Sequence, residues 1–320
     1  MEKMSDLQRI EFIQKMRGEG NSFDPKSPGV RKDLPWGGNI ICDITYDHEY
    51  PNSFLDIYSQ PNTGKTSRPT LIYIHGGGYM SGTKSDVYPH HDKGSEGWHV
   101  KTYMKAGFNV VSIGYALAHQ FTYPTPIIQI GQAVKFMLKN ANVYGLDMSR
   151  IVFCGLSAGG QLAGQFINIQ VNEVYANEMG IEPILDKNCI KAVIFQSSLL
   201  DPERLDDTDS PDNNSVFGMC GRAYFVCNEL KGSHKAKQSS VITYVAKGFP
   251  PSFISDGNSG SFFDQAKDMA EKLNELNIPY QLNTYPKEEV VLDHGRFEQY
   301  STQYGKENME KTIDFVKNFI

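Results

Sequence analysis

The run "RIVFCGLSAGGQLAG" sets a serine between two glycines, with a short apolar stretch before it and a helical period after it. Gly155 and Gly159 permit a sharp strand-to-helix turn. That turn lifts Ser157 into a cleft and aims the Ala158 amide and the helix N-terminus at a developing oxyanion. A second run, "LIYIHGGGYMSG", places three glycines directly after another apolar stretch. With no side chains in the way, the amides of Gly77 and Gly78 can approach a substrate oxygen and complete an oxyanion hole with Ala158. A serine hydroxyl is a poor nucleophile near neutral pH, so a neutral imidazole must take its proton and return it to the leaving group. His294, in "EEVVLDHGRFEQY", follows a short apolar run and reads as that base. His75 reads as a histidine that orients the glycine loop. His90, His91, His99, His119 and His234 stand in polar contexts, read as solvated, and have no metal-binding spacing. Ser157 as a mere helix cap and the glycines as a mere flexible turn are the blander readings. The coupling of the two motifs outweighs both.

These residues need a scaffold that brings strand ends together. "NIICDITYD" and "SFLDIYSQ" alternate apolar and polar residues as half-buried strands do. "TLIYIH", "NVVSIGY", "RIVFCG", "KAVIFQSS" and "PSFIS" are short, nearly continuous apolar runs, as strands buried on both faces should be. Between them lie the helical periods "PIIQIGQAVKFMLKNA", "AGGQLAGQFINIQVNEVYA" and "DQAKDMAEKLNEL", the last with Ala266, Met269, Ala270, Leu273 and Leu276 on one face. Strands alternating with helices imply a mostly parallel, doubly wound α/β sheet, in which ligands bind outside the carboxyl ends of the strands. The polar interval over residues 201–240 breaks this rhythm. With residues 1–35 it is expected to form a small cap on one domain spanning residues 1–320.

Composition narrows the partners. A formal net charge of -6 without a dense Lys/Arg stripe argues against nucleic acid or an anionic membrane and for a small ligand. The N-terminal segment carries charges throughout and reads as an amphipathic helix (Leu7, Ile10, Ile13, Met16), not a signal peptide. No apolar run approaches the roughly 18 residues that span a bilayer. Cys42, Cys154, Cys189, Cys220 and Cys227 lack C-x-x-C spacing, so they read as reduced, mostly buried thiols of a cytoplasmic protein. A homodimer is left open.

From about Leu71 onward the chain resembles the α/β-hydrolases of the hormone-sensitive-lipase-like group of bacterial esterases, which includes acetyl and feruloyl esterases. The resemblance rests on "HGGGYMSGTKSD", "GYALAHQFTYPTPIIQ", "YGLDMSRIVFCGLSAGGQLA", "SSVITYVAKGFPPSFI" and the final "DHG". It implies an α/β-hydrolase fold and a serine carboxylester hydrolase; the short expected cap and the lack of a long apolar stripe point to short acyl esters, with acetylated or feruloylated carbohydrate as an expected substrate. It implies no metal or organic cofactor, Ser157 as nucleophile, His294 as base, and Gly77, Gly78 and Ala158 as the oxyanion hole.

One position departs from the pattern. Such enzymes place a Gly-x-x-Asp after the Pro-Pro and its strand, and here Gly257-Asn258-Ser259 leads to Gly260. Asp256, at the strand end but four residues early, is the first candidate for the missing acid, and Asp201, after the preceding strand run, is the second. Asp264 is expected to cap its helix. The absence of any acid is the third possibility, and it motivates a competing function, a catalytically impaired ligand-binding homologue. A serine peptidase is a further alternative, with Asp206, Asp207 and Asp209 supplying a site for the substrate amine.

Overall fold

A computed structural model describes residues 5–17, 19–60, 67–87 and 98–320. Its strands are β1 (Arg31–Asp33), β2 (Asn39–Thr45), β3 (Phe54–Ser59), β4 (Pro69–Ile74), β5 (Asn109–Ile113), β6 (Asp147–Leu156), β7 (Ile190–Gln196), β8 (Ser252–Ser255) and β9 (Tyr280–Asn283). Its helices are α1 (Asp6–Arg17), α2 (Trp98–Lys105), α3 (Thr125–Tyr144), α4 (Ala158–Val171), α5 (Glu173–Met179), α6 (Pro211–Phe225), α7 (His234–Gln238), α8 (Val241–Tyr244), α9 (Phe263–Glu275) and α10 (Gln303–Lys317). The strands form one sheet in the order β1-β2-β3-β5-β4-β6-β7-β8-β9. β1, β2 and β3 pair antiparallel, and every pairing from β5 across to β9 is parallel.

The two-residue period of a strand explains why the central runs are apolar throughout. On one face Ile72, Ile74, Val111 and Phe153 pack with Ile127 and Ile130 of α3, Leu162 and Phe166 of α4, and Met269 and Leu273 of α9. On the other face Leu71, Tyr73, Val110 and Val152 pack with Val100 and Met104 of α2 and Met309 and Phe315 of α10. Each central strand therefore faces a helix layer on both sides. The expected doubly wound sheet is present.

Several elements differ from expectation. β2 and β3 are covered along almost their whole length rather than half-buried. Their alternating polar residues, Asp43 and Asp56, are inside because Lys84 Nζ sits 2.5 Å from Asp43 Oδ1 and 2.6 Å from Asp56 Oδ1. A buried carboxylate requires such a partner. The period over residues 158–176 is two helices, because Asn172 ends α4 and its side chain caps α5 by accepting from Tyr175 N. The polar interval over residues 201–240 contains the long helix α6. Its buried face is partly glycine: a Cβ on Gly221 would reach 2.6 Å from Leu205, so an apolar period is absent where packing is tightest. In α1 the expected face is only a narrow seam. Ile10 is buried against Met80, Met219 and Cys220, while Leu7 and Met16 remain 49% and 71% exposed. Among the described residues no helix is long and apolar enough to cross a membrane.

Candidate functional site

The end of β6 and the start of α4 leave Ser157 alone in the turn, with φ 53° and ψ -119°. Positive φ in a non-glycine residue is strained, and here the strain falls on the serine itself. The flanking glycines provide clearance rather than turn angles. A Cβ on Gly155 would lie 2.3 Å from Gly159 O, and one on Gly159 would lie 2.1 Å from Ile74 O. Backbone contact between the turn and the end of β4 brings the two motifs together. The amide of Ala158 begins α4, where the first turn leaves amides without helical acceptors.

After β4 the chain turns through Gly77 and Gly78, both at positive φ. Ser81 N donates to Gly77 O at 3.0 Å, Tyr79 Oη to Gln161 Oε1 at 3.0 Å, and Gln14 Nε2 of α1 to Met80 O at 2.7 Å. This holds the loop over the N-terminus of α4. A Cβ on Gly78 would lie 2.7 Å from Cys220 Sγ, so α6 closes directly on the loop. His75 is buried, with Nδ1 2.8 Å from Gly76 O and its ring stacked on Tyr115 at 4.1 Å.

His294 is the histidine that reaches the serine, with Nε2 3.1 Å from Ser157 Oγ. Its ring stands edge-on to Phe217 of α6 at 5.1 Å and Phe262 at 5.2 Å. Burial among protein atoms pushes the imidazole down to about 4, although its edge stays open to the cleft. Behind the ring, Nδ1 lies 2.8 Å from Ser261 Oγ, and that hydroxyl donates to Asp256 Oδ1. The loops carrying these groups are zipped together. Asn258 N donates to Leu292 O at 2.9 Å, Leu292 N to Asn258 Oδ1 at 3.0 Å, and Ser259 pairs with Asp293 as an isolated parallel bridge. Burial raises the Asp256 carboxyl well above the usual carboxylate range, against the hydrogen bond from Ser261. Glu298, pushed up to about 7 by burial, accepts from Ser197 Oγ, which in turn accepts from Gly295 N at 3.2 Å beside the base.

The structure brings Ser157, His294 and Asp256 together, but Asp256 approaches through Ser261, which the sequence reading did not single out. The available signal was a hydroxyl one residue beyond the position where an aspartate is usual. Asp201 is not at the histidine; its carboxylate pairs with Arg204 at 2.9 Å. Asp264 does not cap α9, whose cap position is Phe262. It joins Asp268 on the same Arg204, at 2.9 Å and 2.7 Å. Asp206 faces Arg222 at 3.7 Å and Asp209 faces Lys287 at 2.6 Å, so these two acids are already matched with cations. His99 is packed against Tyr300 at 4.2 Å and pushed down to about 3 by burial, and His119 is half-buried beside Glu11. Neither is the solvated residue expected. His90 and His91 lie outside the described residues. A cavity of about 800 Å³, lined by His75, Lys84, Asp43 and Tyr115 among others, does not include Ser157 or His294 in its lining. Among the described residues no three His, Cys, Asp or Glu side chains form a group able to hold a metal ion.

Gly260 has a duty of its own. Its amide donates to Asp209 Oδ1 and its carbonyl accepts from Asn213 Nδ2 of α6 at 2.7 Å. Its φ is 56°, and a Cβ there would come within 2.5 Å of Asn213 Nδ2. Gly260→Asp is therefore expected to destabilise the fold by about 2–4 kcal/mol, from backbone strain and a lost hydrogen bond, without raising ester turnover. Thermal melting and initial rates check this. An unchanged melting temperature together with a faster enzyme would contradict the assignment.

The BD-FAE family model matches residues 55–273, more than half of the chain. The ethyl acetate hydrolase of Pseudomonas putida is 31% identical over 127 residues, which is 37% of this chain and 36% of that protein. Esterase LipQ of Mycobacterium tuberculosis is 25% identical over 232 residues, 71% of this chain and 51% of its own length. These matches span about a third to a half of the relatives' lengths. The crystal structure of esterase B from Lactobacillus Rhamnosis superposes with a TM-score of 0.73 at 17% identity, covering 98% of this chain and 95% of that one.

Proposed function

Since this chain belongs to the BD-FAE family and has the α/β-hydrolase fold, we propose that it is a serine carboxylester hydrolase acting on short-chain acyl esters of small molecules. The observation that carries the reading is the 3.1 Å approach of His294 Nε2 to Ser157 Oγ at a strained strand-to-helix turn. Neutral His294 takes the Ser157 proton as Oγ attacks the acyl carbon. The amides of Gly77, Gly78 and Ala158 receive the oxyanion. Collapse of the tetrahedral intermediate passes the proton from His294 to the leaving alcohol, and water repeats the sequence on the acyl-enzyme. Asp256 is the acid of the site.

α1 and α6 act as the cap. The contact of Cys220 with the oxyanion loop supports a short acyl pocket, and the name of the relative ethyl acetate hydrolase supports the same choice. Carbohydrate, esterified with acetyl or feruloyl groups, is the alcohol side we favour. Five free thiols, three of them buried, support a reducing cytoplasmic setting.

A panel of p-nitrophenyl esters from acetate to laurate, run beside an aminoacyl-anilide, tests the reading. Turnover is expected to be greatest at two to four acyl carbons, with the anilide inert. Preference for the anilide would move the protein to the peptidases, and tight binding without turnover of any ester would make it a ligand-binding homologue.

A further inference from the structure

We infer that Ser261 and Asp256 form a hydroxyl-bridged relay in which the buried carboxylate selects the reactive tautomer of His294 without touching it. This rests on the reading of Ser157 as nucleophile and His294 as base. It extends that reading to a positioning residue, Ser261, at a place where a carboxylate is usual.

A hydroxyl has one proton to give, and an imidazole in its neutral form carries a proton on only one nitrogen. Ser261 Oγ stands between His294 Nδ1 at 2.8 Å and Asp256 Oδ1. An ionised Asp256 can only accept, so it claims the Ser261 proton. The hydroxyl can then only accept from His294, which puts the imidazole proton on Nδ1 and leaves Nε2 bare toward Ser157, 3.1 Å away. That is the tautomer a general base needs. A neutral carboxyl at position 256 can instead donate to Ser261, which frees the hydroxyl proton to point at Nδ1. The imidazole proton then moves to Nε2, where it blocks acceptance from Ser157. No proton travels along the relay during turnover. Nδ1–H, the hydroxyl and the carboxylate keep their partners while Nε2 gains and loses the Ser157 proton.

The surroundings make this arrangement specific. Asp256 is fully enclosed, and the ionisable groups acting on it are Glu298 beyond the base, Asp264 of α9 and His294 through the hydroxyl. Burial and the two other carboxyls oppose its ionisation, the Ser261 hydroxyl and the Gly257 amide favour it, and its proton affinity lies well above the ordinary carboxylate range. His294 itself holds its proton only below about 4. Protonation of Asp256 is therefore expected to act on the acid limb of kcat/KM through the relay, coupled to protonation of the imidazole. Gly260, held by Asp209 and Asn213, fixes the backbone next to Ser261, so the hydroxyl position is set from the cap side.

The test uses the full chain with p-nitrophenyl acetate. Asp256→Asn is expected to lower kcat by about 10³–10⁴, near the loss known for a triad aspartate replaced by asparagine, with KM little changed. Its residual activity should have its acid limb moved down toward that of the imidazole. Ser261→Ala is expected to lower kcat by about 10²-fold, and Ser261→Thr, which keeps a hydroxyl, to recover most of it. ¹⁵N spectra of histidine-labelled wild-type protein at neutral pH should show His294 protonated at Nδ1, a readout that needs no variant to fold. Finding the Nε2–H tautomer in the wild type would overturn the relay. So would Asp256→Asn and Ser261→Ala retaining rates within threefold of wild type while Ser157→Ala is inactive. Full activity of Ser157→Ala, by contrast, would overturn the underlying reading.

Discussion

Ser157→Ala is expected to lower kcat for p-nitrophenyl acetate by about 10⁴ or more, by analogy with knockouts of serine-hydrolase nucleophiles. The expectation is this large because the site offers no substitute. Ser157 occupies the single strained residue between β6 and α4, and its hydroxyl is the one His294 Nε2 reaches. The proposed oxyanion donors survive the change, since two of them belong to the loop after β4 and the third to Ala158. A residual acceleration over water is therefore expected to remain. The folded state should tolerate the loss of one hydroxyl whose side-chain partner among the described residues is the imidazole. A fluorophosphonate probe should label the wild type at Ser157 and leave the alanine variant unlabelled. Labelling of a different serine, or turnover near the wild-type rate, would sink the assignment.

The second large effect is expected from His294→Ala, again about 10⁴ in kcat, because among the described residues His294 is the base that reaches the Ser157 hydroxyl. His75 cannot replace it, being buried against Tyr115 with Nδ1 engaged at Gly76 O. Nucleophile and base act as a unit, so the double variant Ser157→Ala/His294→Ala should be little slower than either single one. The remaining hydrolysis should also lose its acid limb. The pH dependence of stability has a definite sign. His294 in the fold binds its proton only near 4, below the ordinary value of 6.5, so its neutral form contributes stability that is present above pH 6.5 and lost as pH falls through 4. His294→Ala is expected to unfold less readily than wild type on acidification through that window. A double variant many-fold slower than the singles would show that the two residues act independently.

The central sheet was legible because its strands are covered on both faces and the sequence writes that directly as "TLIYIH" or "KAVIFQSS". β1 and β9 were not, because "RKD" is exposed and "YQLN" mostly half-covered, so neither carries an apolar signature. α6 was hidden for the opposite reason: its tight contacts are made by glycines, and a missing side chain leaves no period to read. At the site, the serine and the histidine that faces it were legible through local motifs. Asp264 was misplaced because Arg204 draws it in from a separate element, a meeting that spacing along the chain does not encode, while Asp201 is held by the same arginine three residues on. The same holds for Ser261. Its role depends on the parallel pairing of Ser259 with Asp293, which sets two distant loops side by side.

The joint at Gly260 also sets the order in which this sequence can change. The side chain of Asn213 occupies the space that a side chain at position 260 would enter, so the cost of a substitution at 260 depends on the residue at 213. An aspartate at 260 is costly while Asn213 is present, and removing Asn213 first gives up its bond to the Gly260 carbonyl before any benefit arrives. Removing Asn213 clears one obstacle but leaves the positive φ at position 260 and Ser210 Cβ 3.0 Å from the added Cβ, so the two changes together also remain costly. The bridged and the direct forms of the site are thus separate neighbourhoods of sequence space, and a library that varies position 260 alone samples only the first.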